Sequence, residues 1–419
     1  MKSEERSATT GLTHNGTWKG RGHPEGVNGT QPVVSAHSAT TGSTHNGTWK
    51  GRGHPEGVNR IQPVLSAQRH HRGERAMRTM KPRSDTRLRG RPPIGVTELH
   101  LHLEGSLAPE SAIEIAAARG HEWGSLRPRE LRKRLRYASF DEFLTVIREM
   151  CVILSSYDAI ERAAWELSAR LAHDGVEYAE VYASPYIFVR WGMDFGETLR
   201  AVDRGFERAE AEGLTRCTIL LDSVRQWGAE AAEIVLDGFE KTRLARVVGF
   251  GLGGEESVPL ETFREVYARA RGLGLGTVVH AGESGPASDV RIAIDGLRTD
   301  RVAHGIRAID DATVLDEIVA RKIPLDLAIT SNYRTAVVSG EHPIRRLLDA
   351  GAVVTLSTDD PSLFRTSLPR EYARASMFGS ARDDELWQIA HNGIDAAFAP
   401  PELKASLHRK AEGRRHEQS

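Results

Sequence analysis

Cysteine is nearly absent from this 419-residue chain. Cys151 and Cys217 are too few for a disulfide framework or a cysteine-rich zinc module, and too far apart for a CxxC redox pair. No run of about 18 apolar residues occurs, which excludes a transmembrane helix. The N-terminus also lacks the apolar stretch of a secretory signal, so the cytoplasm is the expected compartment and no membrane partner is expected. Net charge is almost missing too, at a formal −1. What remains is ordinary for a globular protein, with 39% hydrophobic and 27% charged residues. The length suits two or three domains of roughly 150 residues, or one α/β barrel of about 250 residues or more with added segments.

The near-zero charge hides two unlike halves. Residues 1–93 carry 16 Lys+Arg against 6 Asp+Glu, a net of +10, which leaves −11 for residues 94–419. Within the basic part, TGLTHNGTWKGRGHPEGVN from Thr10 to Asn28 returns almost unchanged from Thr41 to Asn59. Two copies without apolar periodicity cannot build a repeat fold. Trp18 and Trp49 with the neighbouring lysines and arginines suit a nucleic-acid tail. Gly-rich disorder, or a true start at Met77 or Met80, explains the duplication more simply. A nucleic-acid partner is therefore not expected. Three regions follow: a repeat-bearing basic extension over 1–93, a catalytic domain over 94–400, and a charged C-terminal tail over 401–419.

From residue 94 short β-type runs alternate with amphipathic helical stretches. The runs are Val96–Leu103, Val176–Ala183, Cys217–Asp222, Arg246–Phe250, Gly276–His280, Arg301–His304, Ile323–Ala328 and Ala352–Thr358. Eight such alternations predict an α/β fold, a (β/α)₈ TIM barrel; a doubly wound open sheet fits the same periodicity. The connection over 104–175 is too long for a simple crossover. It reads as a helical insertion over the C-terminal face, where a lid would sit.

Polar residues gather at the ends of these runs. His100 and His102 in TELHLHLEGS are two apart on a strand, so both point to one face. VVHAGES supplies His280 and Glu283, RVAHGI supplies His304, and VVTLSTDDPSLF supplies Asp359 and Asp360. Singly, each has a bland explanation: a cap, a satisfied core imidazole, a solvated charge. Together at four strand ends they do not. Three neutral imidazoles and a carboxylate suit one Zn²⁺ with a position left for water, whose pKa the ion lowers to about 7. A further His can orient or deprotonate that water, and a Glu can protonate the electrophile.

HLHLEGS, HAGE, AHGI and STDDP, in this order, resemble the adenosine deaminase family of metal-dependent hydrolases over about residues 94–400. The resemblance implies a zinc TIM barrel that converts a 6-aminopurine nucleoside to its 6-oxo form with release of ammonia. It places His100, His102, His280 and Asp359 as zinc ligands, Glu283 as the proton donor to N1, and His304 as the residue that orients and deprotonates water. It also implies that Asp360 bonds N7 and that the backbone of Gly254 contacts N3. The cytidine-type zinc deaminase signature, with its PCxxC, is absent.

Several positions depart from the common pattern. Glu104 stands where many adenosine deaminases have Asp, near the ribose 5′ end. Gly251 in GFGLGGEE replaces an acidic residue, EVYASP lacks a frequent Arg, and LDLAITSN lacks a frequent Cys-Pro step. LDSVRQWGAEAA is similar to the branch acting on aminodeoxyfutalosine, a 5′-extended nucleoside of menaquinone biosynthesis. The expected partner is a small-molecule purine nucleoside, either adenosine (purine salvage) or 6-amino-6-deoxyfutalosine. Another mononuclear amidohydrolase and a catalytically silent nucleoside-binding homologue are the alternatives; the oligomeric state is not legible.

Overall fold

The computed structural model of the protein describes residues 94–137 and 139–418. The repeat-bearing segment discussed above lies outside the described residues. Eight strands form one sheet in sequence order: β1 (Thr97–His102), β2 (Tyr178–Ala183), β3 (Arg216–Val224), β4 (Val247–Gly253), β5 (Gly276–Ala281), β6 (Arg301–His304), β7 (Leu325–Leu327) and β8 (Val354–Leu356). Every adjacent pair is parallel. The ends meet where Leu101 bridges Asp359: the His102 amide donates to the Asp359 carbonyl at 2.8 Å, and the Asp359 amide donates to the His100 carbonyl at 3.0 Å. The expected (β/α)₈ barrel is therefore present, and an open doubly wound sheet is not.

The strands read as unbroken apolar runs because a closed parallel sheet is buried on both faces. Tyr182, Leu220, Val278 and Ala303 fill the barrel interior. Beside them Arg301 is fully buried between Glu180 (2.7 Å) and Asp326 (3.1 Å), and its guanidinium lies over the Phe398 ring at 4.2 Å. A buried cation of this kind persists only when it is paired and bonded on all sides.

The long first connection holds helices Pro109–Ala118, Pro128–Arg134, Phe140–Leu154 and Tyr157–His173. Ser139 and Ser156 start the last two, each accepting an amide hydrogen bond with its hydroxyl, from Glu142 and Ala159 respectively. Phe143 stacks on Phe364 at 5.3 Å between ring centres, which pins the third helix over the loop that follows β8. Residues beyond 400, read from their charge as a tail, form helix Pro401–Gln418. Its Leu407 and Ala411 are buried with Val96, Leu99 and Tyr178, so four-residue apolar spacing outweighs the charged composition. Among the described residues no helix is long and apolar enough to cross a membrane.

Candidate active site

The barrel places the C-terminal ends of its strands around one cavity of about 420 Å³. His102, Glu104, Gly254, His280, Glu283, His304, Asp359 and Asp360 all line it, and His100 lies fully buried beneath. Every residue named as a candidate ligand, proton carrier or substrate contact is thus brought to the same place. Phe143, Leu144, Ile147, Arg148 and Cys151 from helix Phe140–Leu154 close one side, so the insertion covers the site.

The imidazoles are arranged tightly. The Nε2 atoms of His100 and His280 stand 3.0 Å apart. His280 donates from Nδ1 to the Leu252 carbonyl at 3.0 Å, and His100 Nδ1 faces the Asp326 carbonyl at 3.5 Å. With the protons on Nδ1, both Nε2 lone pairs point into the same space, an arrangement that a cation between them relieves. Asp359 Oδ1 lies 3.7 Å from His100 Nε2 and 3.5 Å from His102 Nε2. Burial keeps these imidazoles neutral: His100 is held well below the ordinary value, His102 falls to about 3 and His304 to about 4. Burial opposes the charged form of Asp359, but its pKa is held low by the proton it can share with His304 and His102 and by the Ser331 hydroxyl, which donates to Oδ2 at 2.6 Å. Neutral nitrogen donors around an ionised carboxylate form the donor set that a borderline divalent metal takes.

The second group carries protons. Glu283 Oε2 lies 3.5 Å from His304 Nε2, and His304 Nε2 lies 3.8 Å from Asp359 Oδ2. Burial, reinforced by the Asp359 and Glu256 charges, pushes Glu283 well above the usual carboxylate range. Glu256 orders the turn beneath, accepting from the Glu283 amide (3.2 Å) and the Ser284 amide (2.6 Å). Asp360 is likewise pushed up, first by burial and then by Asp359, and its Oδ1 has no partner among the described residues. A Cβ on Gly105 would collide with this carboxylate, which explains the glycine in HLEGS. Gly254 has φ +107°, a conformation that side chains rarely adopt, and it carries its backbone into the cavity wall.

Two more carboxylates, Glu104 and Asp222, line the same cavity. Ser184 joins them: its amide donates to Glu104 Oε1 at 2.9 Å and its hydroxyl donates to Asp222 Oδ2 at 2.8 Å. Burial raises both to about 7. Asp222 Oδ2 is 3.9 Å from His102 Nδ1, while Asp222 Oδ1 is buried without a partner among the described residues. The sequence reading missed Asp222 and Ser184, which sit in or just after largely apolar strands with no motif around them. The structure also unites two of the departures noted above. Tyr182, where a frequent Arg is lacking, stacks on His102 at 4.8 Å, and its ring occupies the space a Cβ on Gly251 would need.

A parallel barrel with a cluster of buried imidazoles, a carboxylate among them and a second buried acid whose pKa is raised at its mouth defines a metal-dependent hydrolase. Comparison with known proteins makes this specific. The sequence model of adenosine deaminase matches residues 96–412. An adenine deaminase of Streptomyces coelicolor is 32% identical over 309 residues, covering 73% of this chain and 91% of that protein. An aminodeoxyfutalosine deaminase of Streptomyces avermitilis is 32% identical over 315 residues, with 74% and 88% covered. The crystal structure of an adenine deaminase from Arthrobacter aurescens has a TM-score of 0.73 at 29% identity, covering 77% of this chain and 98% of that one. The chain belongs to the adenosine deaminase family, metal-dependent hydrolases that act on C–N bonds.

Proposed function

We propose that the protein hydrolyses the 6-amino group of a purine nucleoside, adenosine or 6-amino-6-deoxyfutalosine, giving the 6-oxo nucleoside and ammonia. The observation that carries this reading is the meeting, at one cavity, of the cluster His100, His102, His280 and Asp359 with Glu283, a buried acid whose pKa is raised. In this reading the four cluster residues hold one Zn²⁺, which when bound lowers the pKa of water to about 7 and supplies Lewis acidity.

The remaining chemistry belongs to the chain. Asp360 and the Gly254 backbone grip the purine edge at N7 and N3 and turn C6 toward the cluster. His304 orients the attacking water. Glu283 gives its proton to N1 as the water oxygen bonds to C6, so ring charge never accumulates. One of the water's two protons then returns to Glu283, and the other leaves with the amino group as ammonia.

The pair Asp222 and Glu104 supports a nucleoside over a free base. Two buried carboxylates joined through Ser184, one with an unpartnered oxygen, suit hydroxyl groups beyond the ring. The cavity also lies in the range of about 300–1,000 Å³ that encloses ligands larger than a base. Free adenine is the second reading, because the Streptomyces coelicolor relative is an adenine deaminase. The deciding experiment compares kcat/KM for adenosine, deoxyadenosine, aminodeoxyfutalosine and adenine side by side. A nucleoside is the expected best substrate, and a preference for adenine would replace this reading with the second.

A further inference from the structure

His304 has a second nitrogen, and a buried chain of hydrogen bonds runs away from it. His304 Nδ1 is 3.2 Å from Asn332 Nδ2, Asn332 Oδ1 is 3.1 Å from His342 Nε2, and His342 Nδ1 is 3.2 Å from the Ile344 amide. Asn332 lies in helix Ile329–Arg334, and His342 lies in the loop before helix Ile344–Asp349. All three side chains are buried.

The direction of this chain can be read from its far end. A backbone N–H only donates, so His342 Nδ1 must accept. Burial drives the His342 pKa down to about 3, so the ring is neutral and its single proton sits on Nε2. That proton goes to Asn332 Oδ1, which settles the orientation of the amide. The Asn332 NH₂ then donates to His304 Nδ1; because that nitrogen accepts, the ring proton sits on Nε2, on the side of Glu283 and Asp359.

We infer that Asn332 and His342 are positioning residues that lock His304 in its Nε2–H tautomer, so that His304 meets the attacking water as a hydrogen-bond donor. The inference rests on the proposed function only in naming the water; the tautomer itself follows from the hydrogen bonds. A ring locked as a donor at Nε2 orients the water oxygen and leaves proton uptake to a carboxylate. Of the two roles the sequence allowed for His304, orientation is the one this chain selects.

The test uses full-length protein loaded with zinc and labelled with ¹⁵N-histidine. Long-range ¹H–¹⁵N correlation reports which ring nitrogen of His304 carries the proton, whether or not the protein turns over substrate. Asn332→Asp keeps the shape but offers His304 Nδ1 an acceptor; the Asn332 side chain also bonds Glu283, so the proton position and not the rate is the deciding readout. The variant is expected to move the proton to Nδ1 and to lower kcat by about 10²–10⁴, the range a misplaced tautomer costs, with KM and zinc content unchanged. His342→Leu should loosen the same lock, and His342→Gln, which restores a donor to Asn332 Oδ1, should recover the Nε2–H signal and part of the rate. A wild-type His304 protonated on Nδ1, or an Asn332→Asp variant with the wild-type proton position, overturns the inference. The wild-type Nε2–H signal in a protein that deaminates nothing would leave the lock standing and remove the proposed function instead.

Discussion

His304 and Asp359 hold the same rare backbone conformation, with φ 64° in one and 65° in the other, and their side chains meet with Nε2 3.8 Å from Oδ2. Left-handed backbone at a non-glycine residue costs of order 1–3 kcal/mol and concentrates at functional sites. Here it ends β6 and follows β8 in the same way, and both side chains face the cavity.

Asp359→Asn separates backbone from charge. Asparagine tolerates the left-handed region, so the apo variant is expected to stay within about 1 kcal/mol of wild type in urea unfolding. Its zinc affinity, measured by competition with a chelator, should fall more than about a hundredfold, since even residues behind a ligand cost 10–100-fold.

Glu283→Gln removes the proton and keeps the shape. Turnover is expected to fall by about 10²–10⁴, with zinc content unchanged. Single-turnover ammonia release alongside elemental analysis checks this, and near-wild-type turnover would sink the assigned role.

Asp222→Ala addresses the sugar side. Losing a hydrogen bond to a carboxylate costs about 1.5–3 kcal/mol, so KM for a nucleoside should rise by roughly one to two powers of ten. Asp222 Oδ2 also stands 3.9 Å from His102 Nδ1, so zinc content is measured alongside, and at equal zinc content any turnover of adenine should fall less than turnover of the nucleoside. Equal losses on both substrates would remove Asp222 from the sugar pocket.

Glu98 governs a pH dependence of stability. It is fully buried on β1, accepts from the Thr358 amide at 3.0 Å, and burial lifts its pKa from 4.5 to about 7. The native state therefore binds more protons than the unfolded chain between these values. This contribution to stability is fully present below pH 4.5 and is lost as pH rises through 7. Glu98→Gln should be more stable than wild type at pH 8, by on the order of 3 kcal/mol, and equal to it near pH 4. Unfolding curves at the two pH values decide it.

The barrel was legible because its strands are largely apolar runs, four of which carry polar residues where they emerge from the core. His100, His102, His280, His304 and Asp359 lie at or just beyond such ends, so local spacing alone exposed them. Glu104 and Ser184 are 80 positions apart and Asn332 and His304 are 28 apart; such pairs carry no local pattern and become neighbours only when the barrel closes. Tyr182 and Gly251 looked like separate departures for the same reason. In the last helix, Leu407 and Ala411 were masked by the charged residues around them.

The most direct test is ammonia release by metal-stripped protein titrated with zinc, in the presence of the preferred 6-aminopurine nucleoside. The expected result is no turnover without metal and a rate that rises to a plateau at one zinc per chain, with one ammonia and one 6-oxo product formed per nucleoside consumed. Undiminished turnover by the metal-free protein, or no ammonia from any 6-aminopurine with zinc bound, would contradict the account.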